Sequence, residues 1–391
     1  MFFAIPVAWL QLIQQKVRLI ATLAGISFVV ILLFMQIGFR DALFDSAVRV
    51  HNSLEGDLFL ISPQYNALTS QQNFPQARLY QTLGYKGVDS VVPLYFQFGK
   101  LRNPESGQKF SIFVFGTDPG RVTFRSPEIN QNLDKIKLPD RALFDRDSRL
   151  EFGTIAKEFS QGKGVEIELA PFNSILTAYR LKVDALFSIG PSFGVDGNVI
   201  VSDDTFFRIF TERKSEEIDI GLIKLEPGSN AEQIQTVLKA NLPDDVRVLT
   251  LKEFVAFEKE YWDIRTPSGF AFRAMVVMGF IVGIGVIYQI LYSNISSCLV
   301  EYATLKAMGH TNHYLFTIVF QQAVFLAILG FIPGLLISLS VYDLTRKSTQ
   351  LPVFMTLDQF VFVLTSVVIM CAVSGMIAIC KLRGADPADI F

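Results

Sequence analysis

Residues 19–39 read LIATLAGISFVVILLFMQIGF, with no Asp, Glu, Lys or Arg among them. An α-helix rises about 1.5 Å per residue, so about 20 apolar residues cross a hydrocarbon core of ~30 Å. Three further stretches of this kind stand near the other end of the chain, at 274–297, 314–341 and 359–380. Charges bound them: Arg18 and Arg40, Arg273 and Glu301, Asp343, then Asp358 and Lys381. One such stretch could be a buried core helix. Four together, each bounded by charge, predict an integral membrane protein in which one span precedes a polar block and three spans follow it.

Composition agrees. Half of the residues are apolar and 36 are Phe, while the net charge is −2. No basic patch large enough for nucleic acid stands out. The three cysteines, Cys298, Cys371 and Cys380, lie in or beside the apolar C-terminal half. The middle block has none, so it must fold on an apolar core without disulfides. A secretory signal has an apolar run of about 7–15 residues followed by small residues. Here a longer run leaves through Phe39-Arg40-Asp41, which predicts a retained anchor. Lys and Arg in short flanks set orientation. Lys16, Arg18, Lys306, Lys381 and Arg383 lie on one side, against Arg346 and Lys347 on the other. This bias places both termini in the cytoplasm and the middle block outside.

The expected order is a cytoplasmic amphipathic segment (1–18), span one (19–39), a stalk helix (40–56) and an extracytoplasmic α+β domain (57–249). A second stalk helix (250–266) leads to span two (267–297), a cytoplasmic loop (298–313) and span three (314–341). A short external loop (342–357), span four (358–380) and a cytoplasmic tail (381–391) complete it. Residues 1–15 either lie on the inner membrane surface or simply extend span one. Leu43, Ala47, Val50 and Leu54, spaced 4, 3 and 4, form a helical seam with Asp41, Asp45 and Arg49 facing water. A partner seam carries Leu251, Phe254, Val255, Phe257, Tyr261, Trp262 and Ile264. Thr266 and Pro267 then suit a cap and a first turn, so a bend is expected before span two.

Between the stalk helices, strands are expected at Asp57–Ile61, Val91–Phe98, Phe110–Phe115, Val165–Leu169, Arg180–Phe187, Asn198–Val201, Ile218–Leu225 and Val246–Leu249. Helices are expected at 203–211 and 230–241. One domain or two small subdomains both fit this pattern. Pro333-Gly334 in span three can act as a moving or a static kink. Gly279-x-x-x-Gly283 in span two permits close helix approach.

Phosphate-loop and H-E-x-x-H motifs are absent from the sequence. His310 and His313 are two ligands, too few for a metal site, and read as surface residues. The spans hold no carboxylate or base of the kind that marks proton relays or ion paths. No cofactor is expected, and no enzyme activity; the energy should come from another chain. The loop Glu301-Tyr302-Ala303-Thr304-Leu305-Lys306-Ala307-Met308-Gly309 is the candidate receiver. Glu301 and Lys306 suit the helix dipole and Gly309 a helix stop. Tyr302, Leu305 and Met308 share a face that could fill a partner's groove, or lie on the bilayer as a connector.

That segment resembles the coupling segment of ABC transporter permeases of the MacB/FtsX-like superfamily. More narrowly, the chain is similar to DevC-type permeases. The similar stretches are Ser62-Pro63-Gln64-Tyr65, Ala77-Arg78-Leu79-Tyr80-Gln81, Gly116-Thr117-Asp118-Pro119, Glu258-Lys259-Glu260-Tyr261-Trp262, Gly330-Phe331-Ile332-Pro333-Gly334 and Lys381-Leu382-Arg383-Gly384-Ala385-Asp386-Pro387-Ala388-Asp389. Ser296-Ser297-Cys298-Leu299 departs from the pattern, where more polar residues are expected. The resemblance implies a homodimer in the bacterial inner membrane with two ABC ATPase subunits, a periplasmic membrane-fusion adaptor and a TolC-like outer-membrane protein. It implies mechanotransmission rather than a path through the spans, with a lipid or glycolipid as substrate. An FtsX-like regulator of an extracytoplasmic cell-wall hydrolase is the alternative.

Overall fold

The computed structural model describes residues 16–70, 72–172, 178–349 and 351–382. The expected amphipathic segment at 1–15 and the tail beyond 382 lie outside them. The chain divides into two compact units, one made of the residues up to Ala42 with those from Pro267 onward, the other Leu43–Thr266.

In the first unit, four helices are long and apolar enough to cross a membrane. They are span one (Lys16–Ala47, which runs on into the second unit), span two (Pro267–Ser297), span three (Asn312–Thr349) and span four (Leu357–Leu382). Span one is the inner element, with Ile26, Val29, Val30, Leu33 and Phe34 buried. The others leave large apolar side chains exposed, among them Val277, Met278, Ile281, Ile332, Leu336, Val361 and Ile369. Lipid, unlike water, accepts such a surface, so the association of these helices rests on close packing. Glycines supply it. A Cβ on Gly330 would lie 2.7 Å from Ile26 Cγ2, and one on Gly334 would lie 2.7 Å from Val30 Cβ. On span two, a Cβ at Gly283 would come within 2.9 Å of Val29, and Gly279 abuts the Gln36 amide. Span one is thus gripped by two pairs of glycines, each pair one helical turn apart. Ser27 Oγ donates to the Gly330 carbonyl at 2.8 Å, and Tyr342 donates to the Phe34 carbonyl at 2.5 Å. Pro333 lies within the unbroken helix of span three.

The second unit is built on β1 (Leu58–Ile61), β2 (Phe74–Pro75), β3 (Val88–Arg102), β4 (Lys109–Thr117), β5 (Arg141–Asp145), β6 (Val165–Pro171), β7 (Tyr179–Phe187), β8 (Asn198–Ser202), β9 (Glu217–Ile218), β10 (Ile220–Leu225) and β11 (Arg247–Thr250). Nine strands form one sheet in the order β11-β1-β10-β3-β4-β8-β5-β7-β6, and β2 pairs with β9. The long β3 organises it. Its first half, to Leu94, pairs with β10, and its second half pairs with β4. At Gly99–Arg102 its other edge takes β6, which closes β3-β4-β8-β5-β7-β6 into a six-stranded ring. A single sheet, not two subdomains, is the result.

Both faces of this sheet are covered. Leu58 and Leu60 join one apolar cluster with Val114, Leu169 and Leu181, while Phe59 and Ile61 join the other with Phe96, Phe113 and Phe115. A fully buried Phe is worth roughly 1.5–3 kcal/mol, so these aromatics supply the stability that disulfides give smaller domains. The short β5 was not expected. Ala142-Leu143-Phe144 is a brief apolar run between charges, yet β5 is central, parallel to β7 and antiparallel to β8. The expected strand at Ile218–Leu225 is split at Asp219. This buried carboxylate accepts from Arg213 at 2.7 Å and from the Phe96 amide at 2.9 Å.

Candidate functional site

Two regions carry the residues singled out from the sequence. The first is the short helix Leu299–Ala307, separated from span two by a break at Cys298. It ends where the Met308 amide bonds the Thr304 carbonyl at 3.0 Å, and Gly309 adopts φ +91°, a conformation that suits glycine. Glu301, Thr304, Lys306 and Ala307 are exposed. Met308 is 67% and Val300 57% exposed. Leu305 instead packs partly against the cluster of Ile295, Leu315, Ile318 and Val319. The side chains of Tyr302 and Ala303 lie outside the described residues. Among the described side chains, the exposed large apolar groups of this helix and its C-cap are therefore Val300 and Met308, two turns apart. His310, exposed, stacks on Tyr314 at 4.4 Å between centroids.

The second region lies where the outer unit's two terminal helical segments meet. Leu43, Ala47, Val50 and Leu54 are buried, the last two in the cluster that also holds Phe254. Asp45 pairs with Lys259 at 2.5 Å. Arg49–Ser53 forms its own short helix, and its Arg49 Nη1 donates to the Pro191 carbonyl at 3.1 Å. Gly190 beside it has φ +86°, and a Cβ there would strike the same guanidinium. The Arg125 amide bonds the Ser53 carbonyl at 2.7 Å, and the Glu55 amide bonds Thr123 at 2.9 Å. The incoming chain is fastened to the 123–125 segment within a few residues, with Leu54 bridging Phe124.

On the outgoing side, the helix Leu251–Glu260 starts with a capping box in which Thr250 and Glu253 satisfy each other's backbone amides. Tyr261–Arg265 then widens to a π-turn, and Thr266 Oγ1 donates to the Trp262 carbonyl at 2.6 Å before Pro267 opens the next helix. Insertions of this kind recur at functional sites. Trp262 stands edge-on to Phe193 at 4.5 Å, and Ile264, expected in the seam, is exposed.

A buried polar cluster joins the two sides. Glu258 is 1% exposed. Its carboxylate accepts from Tyr65 Oη at 3.1 Å, from the Leu68 amide at 3.1 and 3.2 Å, and from Trp262 Nε1 at 2.9 Å. His51, wholly buried, sets Nε2 3.2 Å from Tyr65 Oη and 3.4 Å from Glu258. Among the described residues its Nδ1 has no hydrogen-bond partner. The His51 ring packs edge-on against Phe254 at 4.4 Å. Burial first, and the Glu258 charge second, hold the Tyr65 phenol well above its ordinary pKa, so it stays a donor. His51 and Glu258 went unnoticed as a pair because 207 positions separate them in the chain. The signal available was that Ser62-Pro63-Gln64-Tyr65 and Glu258-Lys259-Glu260-Tyr261-Trp262 both bear the family resemblance; here those two stretches touch.

Among the described residues, no group of three or more His, Cys, Asp or Glu is arranged to hold a metal. The contacts named here tie the helical segments at the two ends of the outer unit to each other and to its loops.

Residues 273–387 match the family described as FtsX-like permease C-terminal. The match supports an ABC-type permease subunit, and the four long apolar helices suit a multi-pass membrane protein. A search of curated proteins found no match. Among solved structures, the periplasmic region of MacB from Actinobacillus actinomycetemcomitans is similar at 11% identity and TM-score 0.34, covering 52% of this chain and 93% of its own. The extracellular domain of the noncanonic ABC-type transporter YknZ from Gram-positive bacteria is similar at 12% identity and TM-score 0.31, covering 50% of this chain and 99% of its own. What those proteins transport or bind is a property of theirs alone.

Proposed function

We propose that this chain is the membrane subunit of an ATP-driven tripartite exporter of DevC type in the bacterial inner membrane, with the large domain in the periplasm. It works as a homodimer on two ABC ATPase subunits. ATP-driven closure of those subunits moves the helix Leu299–Ala307, and the shift passes through the spans and the stalk segments to the outer domain. A periplasmic membrane-fusion adaptor and a TolC-like protein complete the route for a lipid or glycolipid substrate. The FtsX-like match over residues 273–387 carries this reading, because it encloses the Glu301–Gly309 segment. The exposure of Val300 and Met308 supports a docking role, since buried apolar anchors are the contacts that interfaces depend on. The Glu258 cluster and the seam residues Leu43, Ala47, Val50, Leu54, Tyr261, Trp262, Thr266 and Pro267 are then the lever that carries the motion.

The test is capture of the intact chain from native membranes, with and without Met308→Asp. The ATPase should co-purify with the wild type and be lost from the variant at equal membrane abundance. Lys306→Ala, a rim charge worth about 0–1 kcal/mol, should retain it. Full association of Met308→Asp would remove the coupling assignment. A cell-wall hydrolase captured in place of an adaptor and duct would replace export by regulation.

A further inference from the structure

The face of β3 that carries Phe96 and Phe98 changes character toward the hairpin tip, where the next residues on that face are Lys100 and Arg102. Across the ladder, Lys100 stands opposite Ser111 and Ala170, and Arg102 opposite Lys109 and Glu168. On β7, Arg180 is opposite Glu168. Like charges directly opposite one another in a sheet are destabilising, so the Arg102–Lys109 pair is a cost that folding alone does not explain. One carboxylate serves two of these cations. Glu168 takes Arg102 at 3.0 Å on one oxygen and Arg180 at 3.5 Å on the other. Arg102 accordingly holds the Glu168 carboxyl below its ordinary range. Among the described residues, Lys109 has no carboxylate within ion-pair distance, and Lys100 has only the Phe172 ring, 4.6 Å from its ammonium.

These side chains surround a cavity of about 410 Å³, walled by Lys100, Arg102, Lys109 and Glu168 with Ala170 and Ala178. That volume falls in the range of small-molecule sites, roughly 300–1,000 Å³. The wall is rigid. Asn103 Oδ1 accepts from the amides of Glu105 and Ser106 at 2.7 and 3.1 Å, and its Nδ2 donates to the Glu151 carbonyl at 2.7 Å. Gly107, at φ +70°, lets the turn pass under the Arg102 guanidinium.

We propose that this cavity is a binding site for a phosphate-bearing small molecule or headgroup. The phosphate sits among Arg102, Lys100 and Lys109, and the rest of the molecule lies along Ala170 and Ala178. Arg presents a planar fork to phosphate oxygens and Lys a point charge, which suits a compact, multiply charged oxyanion better than a single carboxylate.

The test uses the full chain in nanodiscs of zwitterionic lipid, titrated calorimetrically with inorganic phosphate and with dihexanoyl phosphatidic acid. Equal binding of both supports a site that reads the phosphate alone. Tighter binding of the lipid supports a headgroup source. Lys100→Gln with Lys109→Gln and Arg102→Gln should weaken either ligand by about tenfold or more, the loss of three solvent-facing charge contacts. Glu168→Gln should change affinity in the opposite direction, since it frees Arg102 and Arg180. Lys135→Gln with Lys137→Gln, elsewhere on the outer unit, should leave it unchanged. Binding of neither ligand, or binding indifferent to the triple change and to Glu168→Gln, overturns the proposal.

Discussion

Replacing Glu258 by Ala isolates the contribution of the buried cluster. The wild-type carboxylate is 1% exposed and satisfies three donors: the Tyr65 hydroxyl, the Leu68 amide and the Trp262 indole. The Ala variant leaves all three without that acceptor in a region closed to water. A buried donor stripped of its partner costs about 1–3 kcal/mol. Partial relaxation lets Tyr65 turn to His51, and the Trp262 edge is only half-buried, so the sum is about 3–5 kcal/mol, the range found when one partner of a buried polar pair is removed. Glu258→Gln keeps one acceptor oxygen but turns a donor toward other donors, and should cost roughly half as much. Trp262 offers the readout. The chain has two tryptophans, Trp9 and Trp262, so a Trp9→Phe background leaves emission from the cluster itself. Urea unfolding of the full chain in detergent, followed at that indole, should show a lower midpoint for Glu258→Ala. Glu260→Gln, exposed on the same helix, should shift stability by no more than about 0.5 kcal/mol. A Glu258→Ala midpoint as close to wild type as the Glu260→Gln one would refute the reasoning and leave the cluster without mechanical weight.

Close packing of the spans predicts that Gly334→Leu, whose Cβ would lie 2.7 Å from Val30, destabilises the membrane unit by roughly 1–3 kcal/mol in a thermal-shift assay. Gly285→Ala, with nothing within 4 Å, should be neutral, and equal melting of both variants would sink the packing account. In the outer unit, Asp219→Ala strands a 9%-exposed Arg213 and the Phe96 amide, so unfolding should become easier by about 3–5 kcal/mol. Adding Arg213→Met should recover part of that loss, and full additivity of the two changes would show that the pair does not interact. For topology, an impermeant thiol reagent on spheroplasts of a cysteine-free background should label Lys163→Cys and spare Met308→Cys. The reverse pattern inverts the orientation read from the flanking charges.

Sequence alone determined the membrane class, because crossing hydrocarbon demands a length of apolar chain that shows as four charge-free stretches. It also marked the strands with longer apolar runs, such as Val91–Phe98 within β3 and Arg180–Phe187 within β7, because a strand buried on at least one face must repeat its apolar residues locally. The glycine pair at 279/283 was visible as spacing, but that it and the pair at 330/334 both face span one was not, since spacing names no partner. Nor could local pattern show β5, whose three apolar residues are a strand only because β7 and β8 leave edges for it on either side. The same holds for the ring closure of β3 on β6, for the cations of Lys100, Arg102 and Lys109 around one cavity, and for His51 with Glu258. Those are meetings of residues far apart in the chain. A periodicity reports which face of an element is buried, and only tertiary structure decides what it is buried against.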